Sequence, residues 1–137
     1  MAELSYRDAV IRGIAQEMKR DPDVVFLGED VAKAGGVFKA TVGLYEQFGP
    51  LRVRDTPISE QAILGAAMGA AMTGLKPIAE IMFSDFFAVC FDYIANEFPR
   101  AAICRTGRPN ARWWFAPATA RARASARSIL RASRTGA

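Results

Sequence analysis

Glu60 is the side chain in this 137-residue sequence whose neighbours best suit it to acid–base chemistry. It closes the segment Asp55-Thr56-Pro57-Ile58-Ser59-Glu60, where a strand-like run ends and a Ser-capped helix begins. A carboxyl group in the first turn of such a helix stands at the edge of a sheet where ligands bind, and there it can hold or release a proton. The structural alternative is that Glu60 only completes the cap at Ser59, favoured by the helix dipole. Gly65, Ala66 and Gly69 follow on the same helix. Glycine inside a helix costs about 1 kcal/mol against alanine, so two of them one turn apart signal a flat face that another helix approaches closely. Other chemistries are set aside by composition. The sequence has no histidine, and its two cysteines, Cys90 and Cys104, have no metal-ligand spacing, which excludes a zinc site or a His-based triad. Cys90, inside Phe-Phe-Ala-Val-Cys-Phe, reads as a small buried hydrophobe.

The elements that must position Glu60 alternate between helix and strand. Ser5, with Asp8 three residues on, caps a helix whose apolar stripe at Ala9, Val10, Ile14 and Met18 runs to Arg20. Asp21-Pro22 stops it, and Val24–Leu27 is a continuous apolar run suited to a strand buried on both faces. A short helix is expected from Thr41 to Phe48, closed by Gly49-Pro50, and a brief strand around Val53 ending at Asp55. The helix opened by Ser59 extends to about Thr73, with Gly74 closing it. Pro77–Phe83 reads as a strand and Phe86–Phe98 as a largely apolar helix. The order α-β-α-β-α-β-α with short connections predicts an α/β fold, a parallel sheet with helices on both faces. Sites in such sheets form at the carboxyl ends of strands, which points to Gly28-Glu29-Asp30, to Pro57–Glu60 and to Met82–Phe86.

The runs GEDVA, RVRDTPISE, GAAMGAAMTGLKPIAEIMFSDFF and DYIANE resemble the beta subunit of the thiamine-diphosphate-dependent 2-oxoacid dehydrogenase family, the decarboxylating component of pyruvate, branched-chain and acetoin dehydrogenase complexes. The likeness runs from Ser5 to about Phe98, and Arg52–Phe87 is most similar to the acetoin type. It implies a partial transketolase-like pyrimidine-binding domain in residues 1–100 and a role for each matching residue. Glu60 would be the catalytic carboxyl group: it hydrogen-bonds the ring nitrogen of the cofactor's aminopyrimidine, so that the exocyclic nitrogen can remove the thiazolium proton. Phe86 would pack on the aminopyrimidine, and Ile58 and Met82 would line the same pocket, although each of the three has an equally simple core reading. Gly28-Glu29 would lie near the site, ordering loops or passing protons, with a strand-end turn as the alternative. Val89 stands where some relatives carry a polar cofactor contact. The family further implies an α₂β₂ assembly with a second beta subunit, an alpha subunit that holds Mg²⁺ and the diphosphate, and a lipoyl-bearing acyltransferase as acyl acceptor.

Charge divides the sequence. Residues 1–100 carry 10 Lys and Arg against 14 Asp and Glu, whereas residues 101–137 carry eight Arg, 11 Ala and no acid. The resemblance stops near Arg100. A basic arm for nucleic acid, a natural disordered extension and a frameshift all account for such a tail. Frameshift is the reading preferred: with the last base of each codon joined to the next two, Trp113-Trp114-Phe115 must yield Val-Val, and Ala126–Leu130 can yield Ala-Gln-His-Ser, as the family text requires. The codons themselves decide this. The tail is accordingly expected to lie outside the fold, disordered or adventitiously helical, and the chain to be truncated and inactive alone, at most associating with family partners. With no apolar run near the ~20 residues that span a bilayer and no signal-peptide pattern, a cytoplasmic protein is expected, with neither membrane nor nucleic acid as a partner.

Overall fold

The computed structural model describes residues 5–101 and the strand 114–117. Helix α1 spans Tyr6–Arg20; the Ser5 side chain accepts a hydrogen bond from the Asp8 amide, and Ile14 and Met18 carry its buried stripe. Strand β1 covers Val24–Gly28, the short helix α2 Leu44–Phe48, and strand β2 Val53–Asp55. Helix α3 runs Glu60–Met72 and strand β3 Lys76–Ile81. These elements follow the expected order. Thr41 to Gly43 stay outside α2, because Gly43 turns the chain with φ +87° and the Thr41 hydroxyl donates to the Val31 carbonyl at 2.7 Å.

The strands form a parallel sheet in the order β2-β1-β3-β4, with β4 at Trp114–Pro117. The register sets Phe26 beside both Val53 and Ile78, and Gly28 beside Asp55. One face packs α1 and α2 through Ile14, Met18, Phe26, Val31, Leu44 and Val53. The other packs α3 and the segment after β3 through Leu27, Ile63, Leu64, Ile81, Cys90 and Phe98. Side chains alternate along a strand, so Val24 and Phe26 serve the first layer and Leu27 the second.

Two expectations are corrected. Phe86–Phe98 is not one helix: a 3₁₀ turn at Ser84–Ala88 leads into a π-helical turn at Tyr93–Glu97. The wider π turn lets Tyr93 and Phe98, five residues apart, meet edge to face at 6.1 Å while both reach the α3 layer. The tail is also not wholly outside the sheet. Trp114–Pro117 pairs in parallel with β3, Ile78 opposite Trp114 and Ile81 opposite Pro117. The free edge of β3 offers unpaired amides and carbonyls, and an aromatic-rich run with strand preference pairs with them. Cys104, the remaining tail positions and residues 1–4 lie outside the described residues.

The glycine stripe on α3 is used within the chain at one of its two positions. A Cβ on Gly65 would lie 3.0 Å from the Tyr93 hydroxyl, whereas at Gly69 nothing comes within 4 Å. Gly65 therefore admits the π turn's tyrosine.

Candidate functional site

The carboxyl ends of β1, β2 and β3 bring together the three segments that the sequence singles out. Gly28 ends β1 and leads to Glu29 and to Asp30, which adopts φ +54°. Asp55 ends β2, and its Oδ1 accepts from the Ala32 amide at 2.7 Å, tying the loop after β1 to the neighbouring strand. The Thr56 amide donates to the Gly28 carbonyl at 2.9 Å, extending the β1–β2 ladder by one residue.

Glu60 is the first residue of α3 and is buried, 8% exposed. Ser59 occupies the cap position without a side-chain cap hydrogen bond, so the expected pairing of cap and acid is absent. The Glu60 carboxylate takes no hydrogen bond from the described residues. It lies close enough to Glu29 and Cys90 for its charge to raise both: burial foremost, then Glu60, pushes the Glu29 carboxyl and the Cys90 thiol above their ordinary values. Cys90 is fully buried, as expected of a small hydrophobe.

Glu29 is 7% exposed, and among the described residues its Oε1 is a buried atom with no hydrogen-bond partner, as is the hydroxyl oxygen of Thr56, the residue after β2. A buried carboxyl oxygen without a partner is costly to ionise, which is the burial cause that raises Glu29.

Met82 follows β3 and is half-buried, and Phe86, on the 3₁₀ turn, is 39% exposed. Ile58 is 83% exposed, on the span between β2 and α3, and is not part of the core. Its core reading is thereby excluded, because a core residue would not leave most of its side chain in water. Val89 is likewise exposed.

Glu80 is a participant that the sequence reading passes over. It stands in β3 and is 8% exposed; a Cβ on Gly28 would come within 2.9 Å of the Glu80 Cβ and of Val31 Cγ1, so only glycine leaves room for its stem. Burial foremost, then the charge of Glu29, pushes the Glu80 carboxyl up to about 7. An acid inside the apolar run Pro77–Phe83 without a basic residue in that run is the sequence signal that could have flagged it. A measurable consequence follows. Because the folded state holds this proton above the ordinary value of 4.5, the contribution of Glu80 to stability is fully present below about 4.5 and is lost as pH rises to about 7. The shift corresponds to roughly 3 kcal/mol. Glu80→Gln should flatten this slope in denaturation curves recorded between those pH values; an unchanged slope would assign it to other groups.

Known proteins give the chain a family. The transketolase pyrimidine-binding domain matches residues 2–110. The chain belongs to that family, and its sheet with helices on both faces is part of that fold. Among individual relatives it is 54% identical to the 2-oxoisovalerate dehydrogenase subunit beta of Bacillus subtilis, over 71% of this chain and 30% of the relative. It is 48% identical to the pyruvate dehydrogenase E1 component subunit beta of Chaetosphaeridium globosum, over 71% of this chain and 30% of that one. To the acetoin:2,6-dichlorophenolindophenol oxidoreductase subunit beta of Cupriavidus necator the identity is 49%, over 69% and 31%. A split-gene transketolase, described as an inactive beta4 tetramer, superposes with a TM-score of 0.56 at 25% identity, covering 69% of this chain and 30% of that chain. The chain thus spans about 30% of the length of the curated relatives it matches. Among the described residues no helix is long and apolar enough to cross a membrane, and no group of side chains could hold a metal ion.

Proposed function

We propose that this chain is the cofactor-activating portion of the beta subunit of a thiamine-diphosphate-dependent 2-oxoacid or acetoin dehydrogenase. The observation that carries the reading is Glu60, a buried carboxyl group at the carboxyl edge of a parallel sheet with no hydrogen-bond donor among the described residues. A flat heteroaromatic ring suits what surrounds it. Glu60 offers one carboxyl for a ring nitrogen, and half-exposed Phe86 and half-buried Met82 offer apolar surface beside it. Ile58 would cover a further edge of the ring, which accounts for a large aliphatic side chain left open in the isolated chain.

Thiamine diphosphate, when bound, supplies the carbon nucleophile and the electron sink for decarboxylation. Glu60 acts on the aminopyrimidine ring nitrogen, alternately giving and holding the proton there. Phe86 fixes the plane of the pyrimidine by stacking and apolar burial worth about 1–3 kcal/mol. Burial foremost, then the charge of Glu60, raises the Glu29 carboxyl above its ordinary value, so the two acids at this edge are electrostatically coupled. By the family resemblance, Mg²⁺ and the diphosphate would be held by the alpha subunit. A second beta subunit and a lipoyl-bearing acyltransferase complete the assembly, in the cytoplasm. The choice between pyruvate-type, branched-chain and acetoin substrates, with acetoin as the subtype preferred from the sequence, belongs to this proposal. A frameshifted tail beyond about residue 100 is proposed as well, with Trp114–Pro117 nonetheless paired on β3.

The test is reconstitution. Mixed with a family alpha subunit, thiamine diphosphate and Mg²⁺, the chain should form a complex that binds the cofactor saturably, by calorimetry. A complex that forms but leaves the cofactor unbound would favour the alternative, a non-catalytic fragment that only associates with its partners. Inactivity of the chain by itself decides nothing, because a beta subunit lacks the diphosphate site.

A further inference from the structure

Three aromatic rings run from the loop after β1 to the candidate cofactor site. Phe38 meets Phe83 edge to face with ring centroids 5.8 Å apart at 79°, and Phe83 meets Phe86 in the same way at 5.4 Å and 79°. The two outer rings are open to solvent, 43% exposed at Phe38 and 39% at Phe86, and Phe83 between them is half-buried. A half-exposed ring on a single 3₁₀ turn has few neighbours to hold it, so Phe83 is a principal restraint on Phe86. Phe38 braces Phe83 from the other side.

The backbone of Phe38 is itself held. Arg7 Nη1, on α1, donates to the Phe38 carbonyl at 3.1 Å. Lys39 adopts φ +53°, its amide donates to the Gly36 carbonyl at 3.0 Å, and its Nζ to the Ala34 carbonyl at 2.8 Å. A left-handed non-glycine residue pinned by its own backbone and side chain marks a turn built for one conformation. Solvation alone would not put an exposed phenylalanine at its tip; an edge-to-face partner supplies the reason.

We propose that Phe38 is a positioning residue: through Phe83 it fixes the ring plane of Phe86, so that loop 29–43 and the aromatic that faces the pyrimidine act as one unit. The functional half of this inference rests on the proposed role of Phe86. A ring held in one rotamer presents its face to a flat heteroaromatic ligand without an ordering cost on binding, whereas a ring free to hop must be ordered first. Phe38 thereby sets cofactor affinity and leaves the chemical step to Glu60.

The test compares Phe38→Leu, which keeps apolar bulk but loses the ring edge, with Phe38→Tyr, which keeps it. In the full chain, side-chain couplings of Phe86 measured by NMR should report a single χ1 rotamer in the parent and in Phe38→Tyr, and rotamer averaging in Phe38→Leu. In the reconstituted complex, Phe38→Leu should raise the Kd for thiamine diphosphate by about 2- to 10-fold, the factor that one edge-to-face contact can supply, with kcat at saturating cofactor unchanged and Phe38→Tyr near parent. Phe86 locked in one rotamer in Phe38→Leu, or averaged already in the parent, overturns the proposal. An averaged Phe86 with unchanged cofactor affinity overturns its functional half. Failure of the parent complex to bind the cofactor is failure of the earlier reading, and the rotamer measurement on the chain still decides this one. Should Phe38→Leu unfold, Phe83→Leu breaks the same contact one ring later and is read in the same way.

Discussion

Glu60→Gln will abolish exchange of the thiazolium C2 proton of thiamine diphosphate in the reconstituted complex while leaving the chain folded. Glutamine matches the shape of glutamate and can still hydrogen-bond a ring nitrogen, but it cannot trade a proton with it. Loss of a positioned general acid–base costs about 10²- to 10⁴-fold, so exchange followed by NMR in deuterated buffer should fall by at least that factor. Folding should survive because, among the described residues, the Glu60 carboxylate takes no hydrogen bond that the substitution would remove. What the helix loses is a favourable carboxylate at the N-terminus of α3, worth about 0.3–1 kcal/mol. The substitution carries a second signature inside the chain. Glu60 is, after burial, the next cause of the raised Glu29 value, so Glu29 should titrate lower in the variant. Exchange that persists in a folded, cofactor-bound variant would remove Glu60 from the mechanism.

Arg52→Ala is expected to produce a large loss of stability for a single part-buried polar side chain. The Arg52 guanidinium closes three elements at once: Nη2 donates to the carbonyls of Met18, Asp21 and Val24 at 2.7, 2.8 and 2.7 Å, and Nε to Val24 at 3.0 Å. Its plane also lies 5.2 Å from the centre of the Phe48 ring, on α2. Met18 and Asp21 terminate α1, where free carbonyls and the negative end of the helix dipole favour a cation. Truncation strands these part-buried acceptors and removes charge-assisted bonds, for an expected loss of about 3 kcal/mol. In a domain this size that amounts to a fall in Tm of roughly 10–20 °C. Arg52→Lys should recover only a minority of the loss, since lysine lacks the planar fork that lets Nε and Nη2 bond together and stack on the Phe48 ring. Chemical denaturation of the three proteins checks this; a loss below about 1 kcal/mol would mean that water satisfies the carbonyls.

The helix–strand order was legible because each element announces itself locally. Ser5 and Asp8 cap a helix with a clear apolar stripe, and the unbroken run Val24–Leu27 can only be a strand covered on both faces. Phe86–Phe98 was not legible. An apolar segment has no period to read, and the choice between α, 3₁₀ and π turns was made by the hollow that Gly65 leaves for the Tyr93 hydroxyl. β4 was missed for a related reason, since a charge-rich context hid four residues that a free strand edge could recruit.

By itself the sequence determined which three segments share the carboxyl edge of the sheet, through their strand-end signals, and the family resemblance with the spacing around Glu60 singled out the acid proposed to act there. Only the tertiary structure decided the environment of that acid. Glu80 reaches the site because Gly28 has no side chain to exclude it. Glu29 is raised because folding buries it near Glu60. Phe38 meets the ring of Phe83, 45 residues away along the chain, and Phe83 in turn meets Phe86. Chain propensities are local and can be read along the sequence, whereas burial, charge proximity and ring contacts join distant residues and exist only once the chain has folded.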